Sequence, residues 1–429
     1  MIAYLRQKTL RGLSSRAAIT TALCLLSIAV TPRTALAEDA EIHFWHWWNS
    51  AGEVKNIATL NKYLKQKNLT WTEQAAQSSS SHLYLAQLKD RLDAQRPDAA
   101  MLDSSETHNY AKALPLLALD DIAQEQEWAE VIPLAIQERA KHQGHWVSAP
   151  LNSHSTNWLW INKTLFTLLD MPEPETWDDL IDLLAHASAL GIPALATPRE
   201  DWEQALLFEL VVISTGGLEF YRRLFVEQQR SAADQQILAQ SFLRLQQLAG
   251  YFAPNTHSLS WDQATEQLWQ GQVLMQVHGS WVNSELSALG AEAQLDYLCL
   301  RFPGTQGAYV FNSDHVVFFP APPERKANQQ QLARIFLDKE FQRELSIASG
   351  AAPARVDINT DGFNHCSQKS INDLRMANMR RAVMPSIINK NLEVIVGDFL
   401  NQRISADSAA EKVLNGVPQP AALDAAPSQ

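Results

Sequence analysis

Short apolar runs alternate with longer runs of helical spacing near the start of the chain, and this alternation restricts the possible folds most. Residues Glu41–Trp47 and Asp98–Asp103 are apolar and strand-like. Between them, Gly52–Lys67 and Leu83–Leu92 place apolar residues at the spacing of one helix face. Strands that are separated by helices tend to pair side by side in parallel, which predicts an α/β fold.

Two further apolar segments, Trp146–Pro150 and Trp158–Asn162, predict strands on either side of a chain crossing. A helical region covers Thr176–Gln270, with interruptions predicted at Gly191–Pro193, at the pair Gly216–Gly217 and at Pro254–Asn255. The chain has 429 residues, and a domain takes about 150 residues, so the length indicates at least two domains. We therefore expect two α/β lobes, joined by more than one crossing of the chain and separated by a cleft.

The first residues are typical of an export signal. Met1–Arg16 carries four cations and no acid, Ala17–Val30 is apolar, and Ala35–Ala37 is a small-x-small cleavage motif. This pattern predicts a cleaved signal peptide at residues 1–37. The alternative is an N-terminal membrane anchor, but the apolar run falls short of the roughly 20 residues that span a bilayer.

Charge and motifs argue against several classes of function. The formal net charge of −12 argues against a general nucleic-acid binder, because phosphate affinity rests on clustered Lys and Arg. We find no nucleophile elbow, phosphate-binding loop or zinc-binding motif, and we predict neither a metal nor a cofactor. A glycosidase that uses Glu53 and Asp314 as a carboxylate pair is the remaining catalytic alternative, although binding or surface roles explain both residues.

Cysteine usage leaves two possibilities open. Of the three cysteines, Cys24 lies in the predicted signal peptide, and Cys299 and Cys366 remain. In an oxidising compartment these two thiols can pair, or they can be two separate buried thiols.

The segment His46–Glu53 carries the first specific pattern. It reads His-Trp-Trp-Asn-Ser-Ala-Gly-Glu and resembles the His-Trp-Trp-x-Ser-Gly-Gly-Glu opening of the glucose-type periplasmic sugar-binding proteins of bacterial ABC importers, in extracellular solute-binding protein family 1. Further similarities follow in the same order as in that family, at Ala149–Trp160, Gly279–Trp281, Phe302–Asp314, Pro353–Asp357 and Met384–Ser386. The order and spacing together carry the resemblance, which covers nearly the whole chain after the predicted signal peptide.

The resemblance implies a two-lobed periplasmic-binding-protein fold of type II, with parallel-rich sheets flanked by helices and a ligand cleft between the lobes. It assigns residues 38–150 and 313–352 to an N-terminal lobe, and residues 151–312 and 353–429 to a C-terminal lobe. Cys299 and Cys366 fall where this subgroup commonly has cysteines.

The resemblance also implies a sugar site. A pyranose has apolar faces, which flat rings cover, and a rim of hydroxyls, which carboxylates and amides bind. The implied contacts are three stacking rings and three hydroxyl partners: Trp47, Trp48 and Trp281, and Glu53, Asn312 and Asp314. Structural roles stay open for all of them, namely core packing for the rings and helix-terminus or turn roles for the carboxylates.

Several polar positions depart from the family's pattern. Asp103 stands where the family tends to have Lys or His, Ser349 stands at its Lys, Asn389 at its His, and Ser280 at the acid of Gly-Asp-Trp. We keep Asp103, Ser349 and Asn389 among the expected ligand contacts. A charged hydrogen-bond partner contributes about 1.5–3 kcal/mol, so these changes predict either weakened glucose binding or another ligand, such as a cationic or amino sugar.

We therefore expect a periplasmic protein that is not an enzyme. It would capture a monosaccharide or a related ligand by closing the cleft, and would deliver it as a monomer to an ABC permease. The alternative is an accessory or signalling protein with a remodelled pocket, which acts on a membrane sensor rather than in uptake.

Overall fold

The computed structural model describes residues 41–75 and 81–417. The predicted signal peptide at residues 1–37, which includes Cys24, lies outside the described residues. Within the described part of the chain, no helix combines the length and the apolar character that a membrane crossing requires.

The described strands belong to three sheets and a two-stranded ribbon. In chain order they are β1 (Ile42–His46), β2 (Trp71–Ala75), β3 (Ala99–Asp103), β4 (Lys141–His142), β5 (His145–Trp146), β6 (Ser148–Pro150), β7 (Asn152–Ser155), β8 (Trp158–Asn162), β9 (Met275–His278), β10 (Tyr297–Arg301), β11 (Tyr309–Asn312), β12 (Asp314–Phe318), β13 (Ala352–Pro353) and β14 (Val383–Pro385).

Helices cover the faces of these sheets. In chain order the described α-helices are α1 (Val54–Gln66), α2 (Ser81–Ala94), α3 (Thr107–Ala113), α4 (Asp120–Glu125), α5 (Trp128–Val131), α6 (Leu134–Ala140), α7 (Lys163–Leu169), α8 (Trp177–Ala189), α9 (Asp201–Tyr221), α10 (Asp234–Ala249), α11 (Trp261–Trp269), α12 (Val282–Ala288), α13 (Pro323–Phe336), α14 (Lys339–Ser349), α15 (His365–Met379), α16 (Lys390–Leu400) and α17 (Ala406–Gly416). The strand–helix alternation predicted from the sequence is confirmed at β1, α1, α2 and β3.

The first sheet has the strand order β2-β1-β3-β12-β6. Its first three strands pair in parallel, as the alternation with helices predicts. The late strand β12 pairs antiparallel with both β3 and β6. Helix α1 covers this sheet with Leu60, Tyr63 and Leu64, which lie on one face because of their spacing. The Tyr63 ring packs edge-on against Phe341 of α14, with 5.2 Å between centroids.

A second and larger core lies among α8, α9, α10, α16 and α17. At its centre, Phe208 stacks on Phe242 with 4.1 Å between centroids, and Phe242 packs against Phe399 at 4.9 Å. The predicted interruption of α9 is confirmed at Gly217, whose φ of 81° takes the backbone into a region that favours glycine. The antiparallel sheet β10-β8-β9 lies beside this core.

A third sheet, in the order β13-β7-β11-β14, connects these parts. Leu151 alone separates β6 of the first sheet from β7, and Ser313 alone separates β11 from β12. The chain therefore leaves and re-enters the first sheet at two neighbouring points, where Leu151 N donates to Asp314 O at 2.8 Å. The division of the chain into an N-terminal and a C-terminal lobe at the residues given above stays a prediction.

Cys299 of β10 and Cys366 of α15 form a disulfide. Both cysteines are buried in a small core that includes Trp158 and Trp160. Of the two possibilities that the sequence left open, the structure contains the bonded one, and it ties the antiparallel sheet to α15.

Candidate functional site

A cavity of about 320 Å³ lies at the meeting point of the first sheet, the connecting sheet and helices α9, α11, α12 and α16. Pockets that bind small ligands measure roughly 300–1,000 Å³, so this cavity has room for a small solute. It is lined by all nine ligand contacts expected from the sequence: Trp47, Trp48, Glu53, Asp103, Trp281, Asn312, Asp314, Ser349 and Asn389.

Aromatic rings cover the side of the cavity that belongs to the first sheet. Trp47 directly follows β1 and meets Tyr84 of α2 edge-on, with 4.9 Å between centroids. The Tyr84 hydroxyl donates to Met101 O at 2.7 Å, which fixes its ring against the sheet. Trp48 is 3% exposed and belongs to the core under the first sheet while it also lines the cavity. Trp47 is therefore the half-buried ring, and Trp48 combines a core position with a lining position.

Three further tryptophans, Trp202, Trp261 and Trp281, line the cavity. The His278 ring lies among them. The centroid of His278 is 5.0 Å from Trp281, 5.2 Å from Trp202 and 5.6 Å from Trp261. The Trp281 ring folds back over its own loop and covers Gly279. A Cβ atom on Gly279 would lie 2.2 Å from this ring, so the position leaves no room for a larger residue. The buried Trp281 Nε1 has no hydrogen-bond partner among the described residues.

Glu53 stands at the N-terminal end of α1. Its Oε2 accepts hydrogen bonds from Asn49 N and Ser50 N, both at 3.0 Å. Burial raises the pKa of Glu53 to about 7, in spite of these two hydrogen bonds and with a small further contribution from the charge of Asp314. Glu53 thus both holds the turn that precedes α1 and lines the cavity.

Asp103 and Asp314 lie directly opposite each other on β3 and β12. Asp103 Oδ1 accepts from Ser105 N at 2.7 Å, and burial raises the pKa of this carboxyl. Asp314 Oδ2 accepts from Asn152 Nδ2 at 2.8 Å and lies 3.5 Å from His154 Nε2. Two carboxylates therefore share one part of the cavity wall.

The remaining expected contacts already have partners in the backbone. Asn312 Oδ1 accepts from Ser313 N at 2.7 Å, and Ser349 Oγ accepts from Ala351 N at 3.3 Å. Asn389 is the N-cap of α16: its Oδ1 accepts from Leu392 N at 3.1 Å, and its Nδ2 donates to Ile387 O at 2.9 Å. The amide of Asn389 is thus used to start a helix, which the His at this position of the family's pattern would do less well.

Hydrogen bonds also join the two sides of the cavity. Glu285 of α12 accepts at Oε1 from Ser50 Oγ at 2.6 Å and from Gly52 N at 2.9 Å. A Cβ atom on Gly52 would lie 2.5 Å from this carboxylate oxygen, so a larger residue here would displace the Glu285 carboxylate. Burial raises the pKa of Glu285 as well.

Sequence reasoning missed several residues of the site, including Tyr84, Trp202, Trp261 and Glu285. For Trp261 the sequence contains a local pattern, the capping box of Ser260 and Gln263, which predicts that Trp261 begins a helix, α11 in the structure. Glu285 had none, because its partners lie 235 and 233 residues away in the sequence.

Cation ligands are not grouped here. Across the described ranges, no three His, Cys, Asp or Glu side chains come together in a way that would hold a metal ion.

Comparison of the sequence with known proteins identifies the family of this chain. The profile described as bacterial extracellular solute-binding protein matches residues 58–316. A probable sugar-binding periplasmic protein of Brucella suis is 32% identical over 408 residues, covering 92% of this chain and 97% of the relative. The corresponding protein of Mesorhizobium japonicum is 35% identical over 343 residues, covering 80% and 82%. The chain belongs to the family of bacterial extracellular solute-binding proteins.

Solved structures show the same fold at lower identity. A chitin oligosaccharide binding protein matches with a TM-score of 0.74 and 20% identity, covering 89% of this chain and 99% of that one. Maltose-bound MalE3 of T. maritima matches with a TM-score of 0.70 and 15% identity, covering 88% and 98%. The two-lobed α/β fold with helix-flanked sheets is confirmed for this solute-binding protein, as are its non-enzymatic nature and its periplasmic location. The expectation of parallel-rich sheets is wrong: the described sheets are mixed, and most of their strand pairs are antiparallel because late strands insert beside early ones.

Proposed function

We propose that this solute-binding protein captures a sugar of monosaccharide size in the cavity and passes it to an ABC permease. The observation that carries the proposal is that aromatic rings, carboxylates and amides together line one cavity. Trp47 and Trp281 would cover the apolar faces of a pyranose. Glu53, Asp103 and Asp314 would accept hydrogen bonds from its hydroxyls.

The relatives support a sugar as the ligand. The proteins of Brucella suis and Mesorhizobium japonicum are named probable sugar-binding periplasmic proteins, and each aligns with at least four-fifths of this chain. Their names do not give a particular sugar. The size of the cavity, about 320 Å³, favours one sugar ring over a long oligosaccharide.

Closure of the cleft would report the bound sugar to the membrane partner. A solute that contacts both sides favours the closed arrangement by its difference in affinity for the two states. The Ser50–Glu285 and Gly52–Glu285 hydrogen bonds would add to the closed state. We propose that the protein acts as a monomer and that the partner is a permease; a membrane sensor would use the same closure.

Calorimetric titration tests this proposal. The purified protein is unfolded and refolded to remove any carried-over solute, and is then titrated with glucose, mannose, galactose and glucosamine. We expect saturable 1:1 binding of at least one of these sugars. The absence of heat and of thermal stabilisation across the panel, with a protein that has refolded, would contradict the proposed function.

A further inference from the structure

The cavity carries a surplus of negative charge. Six carboxylates line it: Glu53, Asp103, Glu106, Glu285, Asp314 and Glu393. The one lysine in the lining, Lys390, is more than half exposed and lies 3.6 Å from Glu393 and 3.8 Å from Asp201. It is thus already placed against carboxylates of α16 and α9, at the edge of the cavity.

The acidic groups come closest together at Asp103 and Asp314, where His154 forms an ion pair with Asp314 only when its imidazole is protonated. Like charges that lie directly opposite on neighbouring strands destabilise a sheet unless something neutralises them. The groups that hydrogen-bond the pair are neutral: Ser105 N and the Asn312 amide for Asp103, and Asn152 Nδ2 for Asp314. The nearest ring nitrogen, His154 Nε2, is 3.5 Å from Asp314 and 3.1 Å from Asn152 Nδ2.

A second observation, independent of the acidic groups, points to a ligand with donors. Asn56 of α1 lines the cavity, is 3% exposed, and leaves Oδ1 without a hydrogen-bond partner. It lies one helical turn after Glu53, so both side chains point from the same face of α1. A buried acceptor without a partner is costly, and a ligand N–H or O–H group would satisfy it.

We propose that the solute is a cationic amino sugar, whose ammonium group binds between Asp103 and Asp314. This inference rests on the proposed function and specifies its ligand. The paired carboxylates and Asn56 Oδ1 can only accept hydrogen bonds. The ammonium group supplies three N–H donors for such acceptors and one positive charge to balance the carboxylates. The sugar ring keeps hydroxyl oxygens for the unpartnered Trp281 Nε1, which can only donate. The aromatic faces of the lining also attract a cation.

Comparison of glucosamine, glucose and N-acetylglucosamine separates the effect of the ligand's charge from the effect of its shape. Glucose replaces the ammonium group of glucosamine with a neutral hydroxyl, and N-acetylglucosamine keeps the nitrogen but removes its charge. Calorimetric titration of the refolded protein at pH 6, where the amine is protonated, should give glucosamine an affinity roughly ten- to a hundred-fold above that of glucose, the range expected for a charged hydrogen-bond partner. N-acetylglucosamine should bind no better than glucose.

The variant Asp103→Asn keeps the shape of the side chain and removes its charge. We expect it to lose the preference for glucosamine, so that the ratio of the glucosamine affinity to the glucose affinity falls to about one, whatever the change in the glucose affinity itself. Asp121→Asn removes the same charge from the exposed face of α4 and is the matched control, with no expected change in preference. Thermal unfolding of each variant checks that it has folded.

The outcomes distinguish this inference from the proposed function. Equal affinity for glucose and glucosamine, or an undiminished preference in a folded Asp103→Asn variant, overturns the amino-sugar inference and leaves sugar binding intact. Failure of every sugar to bind overturns both. A glucosamine preference that disappears in Asp103→Asn and persists in Asp121→Asn supports the inference.

Discussion

Replacement of Glu285 by Ala is expected to weaken solute binding while the proposed stacking rings, Trp47 and Trp281, stay unchanged. The carboxylate accepts from Ser50 Oγ at 2.6 Å and from Gly52 N at 2.9 Å, and so joins α12 to the loop that precedes α1. If these hydrogen bonds form as the cleft closes, their loss lowers the closed population. The apparent dissociation constant then rises in proportion, because only the closed state holds the solute on both sides.

The magnitude follows from the two hydrogen bonds. A hydrogen bond to a charged group contributes about 1.5–3 kcal/mol, and the raised pKa of Glu285 shows that burial opposes its charge, so the lower end applies. Loss of both bonds in Glu285→Ala would then cost about 3 kcal/mol, or roughly a 150-fold weaker affinity. Ser50→Ala removes one bond, which corresponds to about 1.5 kcal/mol or roughly tenfold.

Two measurements check this prediction. Calorimetry with the tightest-binding sugar gives the affinities, and small-angle X-ray scattering with saturating sugar gives the degree of closure. Ser50→Ala should have little further effect in a Glu285→Ala background, since both remove the same contact. Glu411→Ala, on the exposed face of α17, is the control. Wild-type affinity and scattering in a folded Glu285→Ala variant would refute the reasoning.

Three further predictions concern the site and its supports. Trp281→Ala should weaken sugar binding at least tenfold in calorimetry, in a variant that thermal unfolding shows to be folded; unchanged affinity would exclude the ring as a stacking wall. Replacing Cys299 and Cys366 by Ala should lower the free energy of unfolding in urea by about 4 kcal/mol, the entropy of a loop closed over 67 residues; a loss below 1 kcal/mol would contradict this. Burial raises the pKa of Glu209 to about 7, so its carboxyl takes up a proton more readily in the folded state, and its contribution to stability falls as pH rises from about 4.5 to 7. Glu209→Gln should therefore gain stability relative to the wild type between pH 5 and pH 8, and the same stability difference at both pH values would argue against a buried ionised carboxylate.

Much of the fold could be predicted from the sequence because local patterns determine it. β1, α1 and β3 lie within the segments predicted from apolar spacing, and Gly217 interrupts α9 where the Gly-Gly pair predicted a break. The antiparallel insertion of β12 beside β3 could not be predicted in this way. It depends on a pairing between residues more than 200 positions apart, for which the local pattern contains no information.

The candidate site could also be predicted only in part, because local patterns determine some of its features and long-range packing determines the others. The resemblance at His46–Glu53 and at the later segments was enough to select residues that line one cavity, because the order and spacing of these segments are those of the family. The sequence did not reveal that Asp103 faces Asp314, or that Glu285 reaches Ser50, because both relations arise from long-range packing. The raised pKa of Glu53 likewise follows from burial by distant elements rather than from its neighbours in the chain.

A crystal structure of the refolded protein with the tightest-binding sugar tests the central claim most directly. We expect density for one sugar ring in the cavity, stacked on Trp47 or Trp281 and hydrogen-bonded to Glu53, Asp103 or Asp314. A sugar bound elsewhere on the protein, or an empty cavity at a saturating sugar concentration, would contradict it.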